Sequence, residues 1–194
     1  MAPLLTRQSI VKVTDQAPDD DQIEAILRAA VTVPDHGAVR PWRLVVVSGD
    51  ARHAFGNALS AAGQQARVDM PDQVLERLRS KAFVAPALIA VVARIVPESG
   101  IDVWEQVASA ACAGYAITLA AHQLGLGAVW KSSPFRDGAE LRRVLDMGEH
   151  DEFLGWVNLG GIPQARPASK RPEIDLTEIA RALSPEGVPT PYQR

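Results

Sequence analysis

The sequence predicts an α+β chain with helices packed around one sheet. Two observations carry this. Some segments repeat apolar residues at helical spacing and others hold short β-rich or continuous apolar runs. The two kinds also follow one another without the steady strand–helix–strand alternation of a doubly wound parallel fold. Length and composition agree: 194 residues, 47% hydrophobic and 22% charged, make one packed domain over 1–194 the natural count. Residues 183–194 are the exception, since Ser184, Pro185, Gly187, Pro189 and Pro191 crowd together there and read as an extended tail.

In chain order, residues 2–10 read as a short helix and 11–18 as a polar loop. Asp19 has the place of an N-cap, with Gln22 three residues on and Asp20 and Asp21 suited to the helix dipole. Ile23, Ile26, Leu27 and Ala30 then share one helical face, and the helix stops before Pro34. Residues 34–41 form a loop leading to a strand from Trp42 to Val47. Residues 51–82 are helical, with breaks expected at Gly63 and Pro71. Leu88 to Val92 is a continuous apolar run, hence a strand buried on both faces. The longest helix spans 102–124, is rich in Ala and Gly, and ends at Gly125. A strand opens at Ala128-Val129-Trp130, a short helix covers 138–146, a strand runs from Phe153 to Leu159, and a last helix is expected over 173–182.

Several function classes fall away. The net charge of −3 argues against nucleic acid as a partner, and Arg136, Arg142 and Arg143 are interspersed with Asp137, Glu140 and Asp146 as on a solvated helix face. One cysteine, Cys112, rules out an intrachain disulfide; within its Ala-rich helix it reads as core. His36, His53, His122 and His150 show no metal-ligand spacing. Gly125-Leu126-Gly127 lies between a helix and a strand, the reverse of a dinucleotide fingerprint. No Gly-x-Ser-x-Gly elbow, leader peptide or membrane span is visible, so the expected location is cytoplasmic.

What remains are separated polar signals. Arg7-Gln8-Ser9 places a cation and a hydroxyl where a phosphate can be held, and Lys170-Arg171 offers a late second cation. His36 and Arg40 punctuate the loop before Trp42, and Trp130-Lys131-Ser132-Ser133 follows a strand. Taken with Pro41-Trp42, Ala85-Pro86, Trp104-Glu105-Gln106 and Gly155 to Pro163, these segments resemble the nitroreductase family in order and spacing over residues 4–172.

The resemblance implies a mostly antiparallel central sheet wrapped by helices, and a homodimer joined through the long Ala-rich helix, with FMN between subunits. It implies NADPH or NADH as electron donor and a nitroaromatic, quinone or similar small molecule as acceptor, served by ping-pong transfer. Chemistry would rest on the flavin's N5, with no catalytic side chain. Carried over by position, Arg7, Gln8 and Ser9 lie at the FMN phosphate, with Lys170 or Arg171 as its later partner. His36 and Arg40 meet the isoalloxazine edge, and Trp130, Lys131 and Ser132 come from the opposite subunit. The chain departs from the family where Ala38 and Arg40 replace an Asn and a Gln before Pro-Trp, and where Gln8 replaces a basic residue. The alternative function is a flavin-storing or flavin-sensing protein of the same fold, its open face covered by the Gln65–Ser80 region and the tail.

Overall fold

The structure is a computed structural model that describes residues 2–164 and 173–192. The chain divides into two compact units, 1–164 and 165–194.

The first unit is built on a four-stranded antiparallel sheet, β1 (Trp42–Ser48), β2 (Ala87–Ala93), β3 (Gly127–Lys131) and β4 (Glu152–Gly160), in the spatial order β1-β2-β4-β3. Every residue of β2 is buried, and its alternating side chains explain why the run is continuously apolar. Leu88, Ala90 and Val92 face a cluster with Phe55, Leu59 and Leu141, from α3 (Ala51–Ala66) and α6 (Ala139–Val144). Ala87, Ile89 and Val91 face Ile26, Ala113 and Ile117, from α2 (Asp20–Ala30) and α5 (Val103–Gln123). The sheet is thus the middle of three layers. Phe55, Phe153 and Trp156 fill one side, Phe153 stacked on Trp156 and Phe55 edge-on to both.

The capping box of α2 forms as its sequence predicts. Asp19 Oδ1 accepts the Gln22 N–H at 2.8 Å and Gln22 Oε1 accepts the Asp19 N–H at 3.1 Å, worth about 1 kcal/mol. The Ala/Gly content of α5 also has a local reason. Gly114 faces the Trp130 ring so closely that a Cβ would lie 2.4 Å from it, and the indole N–H donates to the Leu154 carbonyl at 3.3 Å. Gly114→Ala is therefore expected to destabilise by about 1–3 kcal/mol, overpacking outweighing the roughly 1 kcal/mol gained in helix propensity. Trp130→Phe in the same chain should recover part of the loss in urea melts; no recovery would place the strain elsewhere.

Several expectations need correction. The first helix, α1 (Ala2–Thr6), stops short of Ser9. The third is unbroken at Gly63, where a Cβ would meet Leu78 at 2.5 Å: the glycine is a packing notch for α4 (Asp72–Ser80), not a breaker. The break before Pro71 does occur. Residues 65–80 comprise the end of α3, a turn with buried Met70 and the packed helix α4 with buried Leu78. Cys112 is exposed, because the side of α5 it occupies faces away from the sheet. In the second unit the expected helix over 173–182 shrinks to α7 (Leu176–Ile179), capped by Asp175 Oδ1. Where the sequence suggests an extended tail, Arg181–Leu183 (β5) pairs antiparallel with Pro189–Pro191 (β6) as a hairpin.

Candidate functional site

Residues 7–14 are drawn along the ends of β3 and β4. The Ile10 N–H donates to the Ala128 carbonyl at 2.8 Å and the Thr14 N–H to the Gly161 carbonyl at 2.9 Å. These bonds station Arg7, Gln8 and Ser9 beside β3, with Thr6 Oγ1 2.9 Å from His122 Nε2 at the last turn of α5.

At the other end of β3 lies an open cavity of about 290 Å³. Lys131 and Ser132 reach it from the strand end, and Lys81 from the turn after α4. Trp156 and Asn158 on β4 also line it, with Val84 at the rim. Asn158 is only 2% exposed. Its Oδ1 accepts the Trp156 indole N–H at 2.9 Å, and its Nδ2 donates to no other described residue. Burial, then the charges of Arg77 and Lys131, hold the Lys81 ammonium below its ordinary pKa. Two cations, a hydroxyl and a spare amide donor thus surround an apolar floor, a donor set that suits a planar heteroaromatic with electron-rich edges.

The loop before β1 is held by α5. Ser109 Oγ donates to the Pro34 carbonyl at 2.6 Å. One helical turn earlier, Glu105 Oε2 lies 2.9 Å from His36 Nδ1; a carboxylate can only accept here, so Nδ1 carries the proton. Asp35 Oδ2 accepts the Arg40 N–H at 2.9 Å, and Ala38 and Arg40 both sit at φ +53°. Left-handed backbone at two non-glycine residues costs on the order of 1 kcal/mol each, and these anchors hold it. His36 lines a shallow cleft of about 190 Å³ with Trp104, Glu105 and Ser109.

Lys131 and Ser132 therefore share a cavity, Arg7, Gln8 and Ser9 flank the same strand, and His36 and Arg40 share a loop. Trp130 instead packs on Gly114 of its own chain and does not line the cavity. Lys170 and Arg171 lie outside the described residues. Sequence reasoning missed Lys81 and Asn158. A lone lysine after a helix and a lone asparagine in an apolar strand carry no local signal; only the antiparallel pairing of β3 with β4, and the turn Lys81–Phe83, bring them to Ser132. Trp104-Glu105-Gln106 carries no role in the sequence resemblance. Gln106 is structural, bonding the Val96 and Ile101 backbone, whereas Glu105 holds His36. Among the described residues no helix is long and apolar enough to cross a membrane, and no His/Cys/Asp/Glu group could hold a metal.

Known proteins resemble this chain in sequence and fold. YdjA of Escherichia coli (strain K12), which carries an NAD(P)H nitroreductase name, is 32% identical over 166 residues, 86% of this chain and 89% of its own. The nitroreductase-like family protein from Bacillus cereus superposes with a TM-score of 0.74 at 22% identity, over 91% of each chain. A nitroreductase with bound FMN from Bacteroides fragilis NCTC 9343 does so with a TM-score of 0.67 at 21% identity, over 92% of this chain and 96% of its own. The profile of the nitroreductase family matches residues 4–161, and the chain belongs to that family.

Proposed function

We propose that the protein is an FMN-dependent oxidoreductase that takes a hydride from NADPH or NADH and passes electrons to a nitroaromatic, quinone or similar acceptor in a ping-pong cycle. The observation that carries this reading is the cavity at the end of β3, where Lys81, Lys131, Ser132 and Asn158 present donors around an apolar floor. The nitroreductase names of relatives and the bound FMN of the Bacteroides fragilis protein support it. Bound flavin supplies the hydride-accepting and hydride-donating chemistry. The residues of this chain do the rest. Arg7 and Ser9, beside β3, bind the phosphate. Lys81 and Lys131 face the electron-rich ring edge and stabilise negative charge there.

The active form in this reading is a homodimer. One side of α5 exposes Trp104, Ala108, Cys112 and Tyr115, at helical spacing and without a charge among them; over about 16 Å of helix such a face supports the interface of this reading. The strand order points the same way. β1 and β3 are opposite edges of the sheet, roughly 14 Å apart at ~4.8 Å per strand. The loop of His36 and Arg40 precedes one edge and Lys131 ends the other. A flavin held by Lys81, Lys131 and Ser132 of one copy therefore meets His36 and Arg40 of a second.

The test is the visible spectrum and solution mass of the purified protein with added FMN. A yellow dimer bleached anaerobically by NADPH or NADH, and recoloured by a quinone, is the expected result. A yellow protein that no nicotinamide bleaches would favour flavin storage, and a protein that ignores FMN would remove the reading. Arg40→Gln tests the departure before Pro41-Trp42. Removing one guanidinium from the flavin edge should lower the two-electron midpoint potential by on the order of 30 mV, about 1.4 kcal/mol. An unchanged potential in a dye-equilibrium titration would place Arg40 away from the ring.

A further inference from the structure

We propose that Glu105 is a positioning residue whose hydrogen bond to His36 makes the outer nitrogen of that ring, Nε2, the proton donor to a hydride-accepting substrate. The inference rests on the flavin reading above and adds a residue pair to it. His36 is the only histidine in the loop held against α5, and its side chain is 66% exposed while Glu105 is 31% exposed. With Nδ1–H directed at the carboxylate, ring tautomer and orientation are both set, and Nε2 is the atom left for a ligand. When Nε2 is also protonated, the imidazolium has the Glu105 carboxylate as its counter-charge at 2.9 Å. The backbone around it is fixed as well. Ser109 pins the Pro34 carbonyl one helical turn from Glu105, and Gly37 leaves only van der Waals room for a side chain before Ile101. The ring therefore sits on a held loop rather than a free one.

The chemistry closes with these groups. A quinone that takes one hydride from reduced flavin carries a full negative charge on an oxygen, and one proton completes the hydroquinone. The Nε2–H bond of His36 breaks and an O–H bond forms. The ring is left neutral with Nδ1–H still on Glu105, and solvent returns the proton to Nε2. Positioned general acids of this kind contribute on the order of 100-fold or more, and a carboxylate that only orients the imidazole contributes through it.

The experiment has two arms. In apoprotein labelled with ¹⁵N-histidine, the ring nitrogens of His36 should report a protonated Nδ1 in the native chain and in Glu105→Gln, whose amide oxygen can still accept. In Glu105→Ala the ring should revert to a tautomer mixture. In FMN-loaded protein, stopped-flow reoxidation by a water-soluble benzoquinone is read against reduction by NADPH in the same variant. The ratio should fall about 100-fold in His36→Gln and about 10-fold in Glu105→Ala, with Glu105→Gln between that and native. Native ratios in His36→Gln and Glu105→Ala would overturn the proton-donor role even with the nitrogen signals as expected. Indifference of the His36 nitrogens to Glu105→Ala would overturn the positioning role. Failure to bind FMN appears before any kinetics and would remove the flavin reading, and this role with it.

Discussion

Lys81→Met is expected to give an apoprotein that melts higher than the native one and binds FMN 10–100-fold more weakly. The two effects have one cause. The cavity holds Lys81 partly out of water and beside Arg77 and Lys131, so its ammonium has a lowered pKa. A base whose folded pKa lies below its unfolded value of 10.5 releases protons on folding. The charged form is therefore a penalty on the folded state at neutral pH, and that penalty fades as pH rises through the folded pKa towards 10.5. Methionine fills the same shaft without the charge, so the variant should lose this pH-dependent component: the native-minus-variant difference in apoprotein melting temperature should shrink with rising pH. A bound flavin edge inverts the sign, because the same ammonium then has an acceptor for its hydrogen bond. Losing one hydrogen bond to a charged group costs about 1.5–3 kcal/mol, which is the stated range in Kd. Differential scanning of apoprotein and flavin-fluorescence titration read the two halves separately. A variant with native FMN affinity would take Lys81 out of the proposed cofactor site, and a lower-melting apoprotein would refute the penalty of holding a partly buried charge there.

The layered core was legible because it is written in local periods. The apolar run of β2, the stripe on α2 and the length of α5 each state a face or a pair of faces, and Asp19 with Gln22 marks a helix start within four residues. The errors fall where a residue's meaning depends on a distant neighbour. Gly63 looks like a breaker until Leu78 is seen to occupy the space a side chain would need. Cys112 looks buried because every neighbour is apolar, yet the exposed side of α5 is apolar too. Ala182 and Leu183 sit in a strand only because Pro189–Pro191 pairs with them, a relation no helical or alternating pattern announces. The candidate site divides in the same way. Lys131, Ser132, His36 and Arg40 were legible through their place in ordered family segments, whereas Lys81 and Asn158 become neighbours only when β4 pairs between β2 and β3. A cavity lined from several elements leaves each contributor isolated in sequence.

Gly155→Ala should be the most damaging single-methyl change in the chain, costing about 3–5 kcal/mol. Gly155 has φ +117°, and a Cβ there would lie 2.1 Å from the Lys131 carbonyl oxygen and 3.0 Å from the Trp130 indole nitrogen. Neither obstacle can move away cheaply. The carbonyl belongs to the β3–β4 ladder, where Lys131 pairs with Trp156, and the indole is wedged against Gly114. The glycine also borders an irregularity in the sheet. Val91 pairs with Gly155 but Val92 pairs with Phe153, so Leu154 is an extra residue on β4. The bulge turns Phe153 back to the face where it stacks on Trp156; a ladder without it would direct Phe153 to the opposite face. Alanine must therefore push β3 away or disturb the bulge, and both routes reach the site, since β3 ends in Lys131. At about 2–4 °C per kcal/mol for a chain of this size, the melting temperature should fall by roughly 6–20 °C. FMN affinity measured well below that transition should fall as well, whereas Gly114→Ala, whose clash falls on a side chain that does not line the cavity, should lose stability with FMN affinity nearer native. A Gly155→Ala protein within 1 kcal/mol of native in urea melts would show that the sheet holds its bulge without the glycine, and Lys131 would then have to be positioned from α4 and the turn at Lys81 instead.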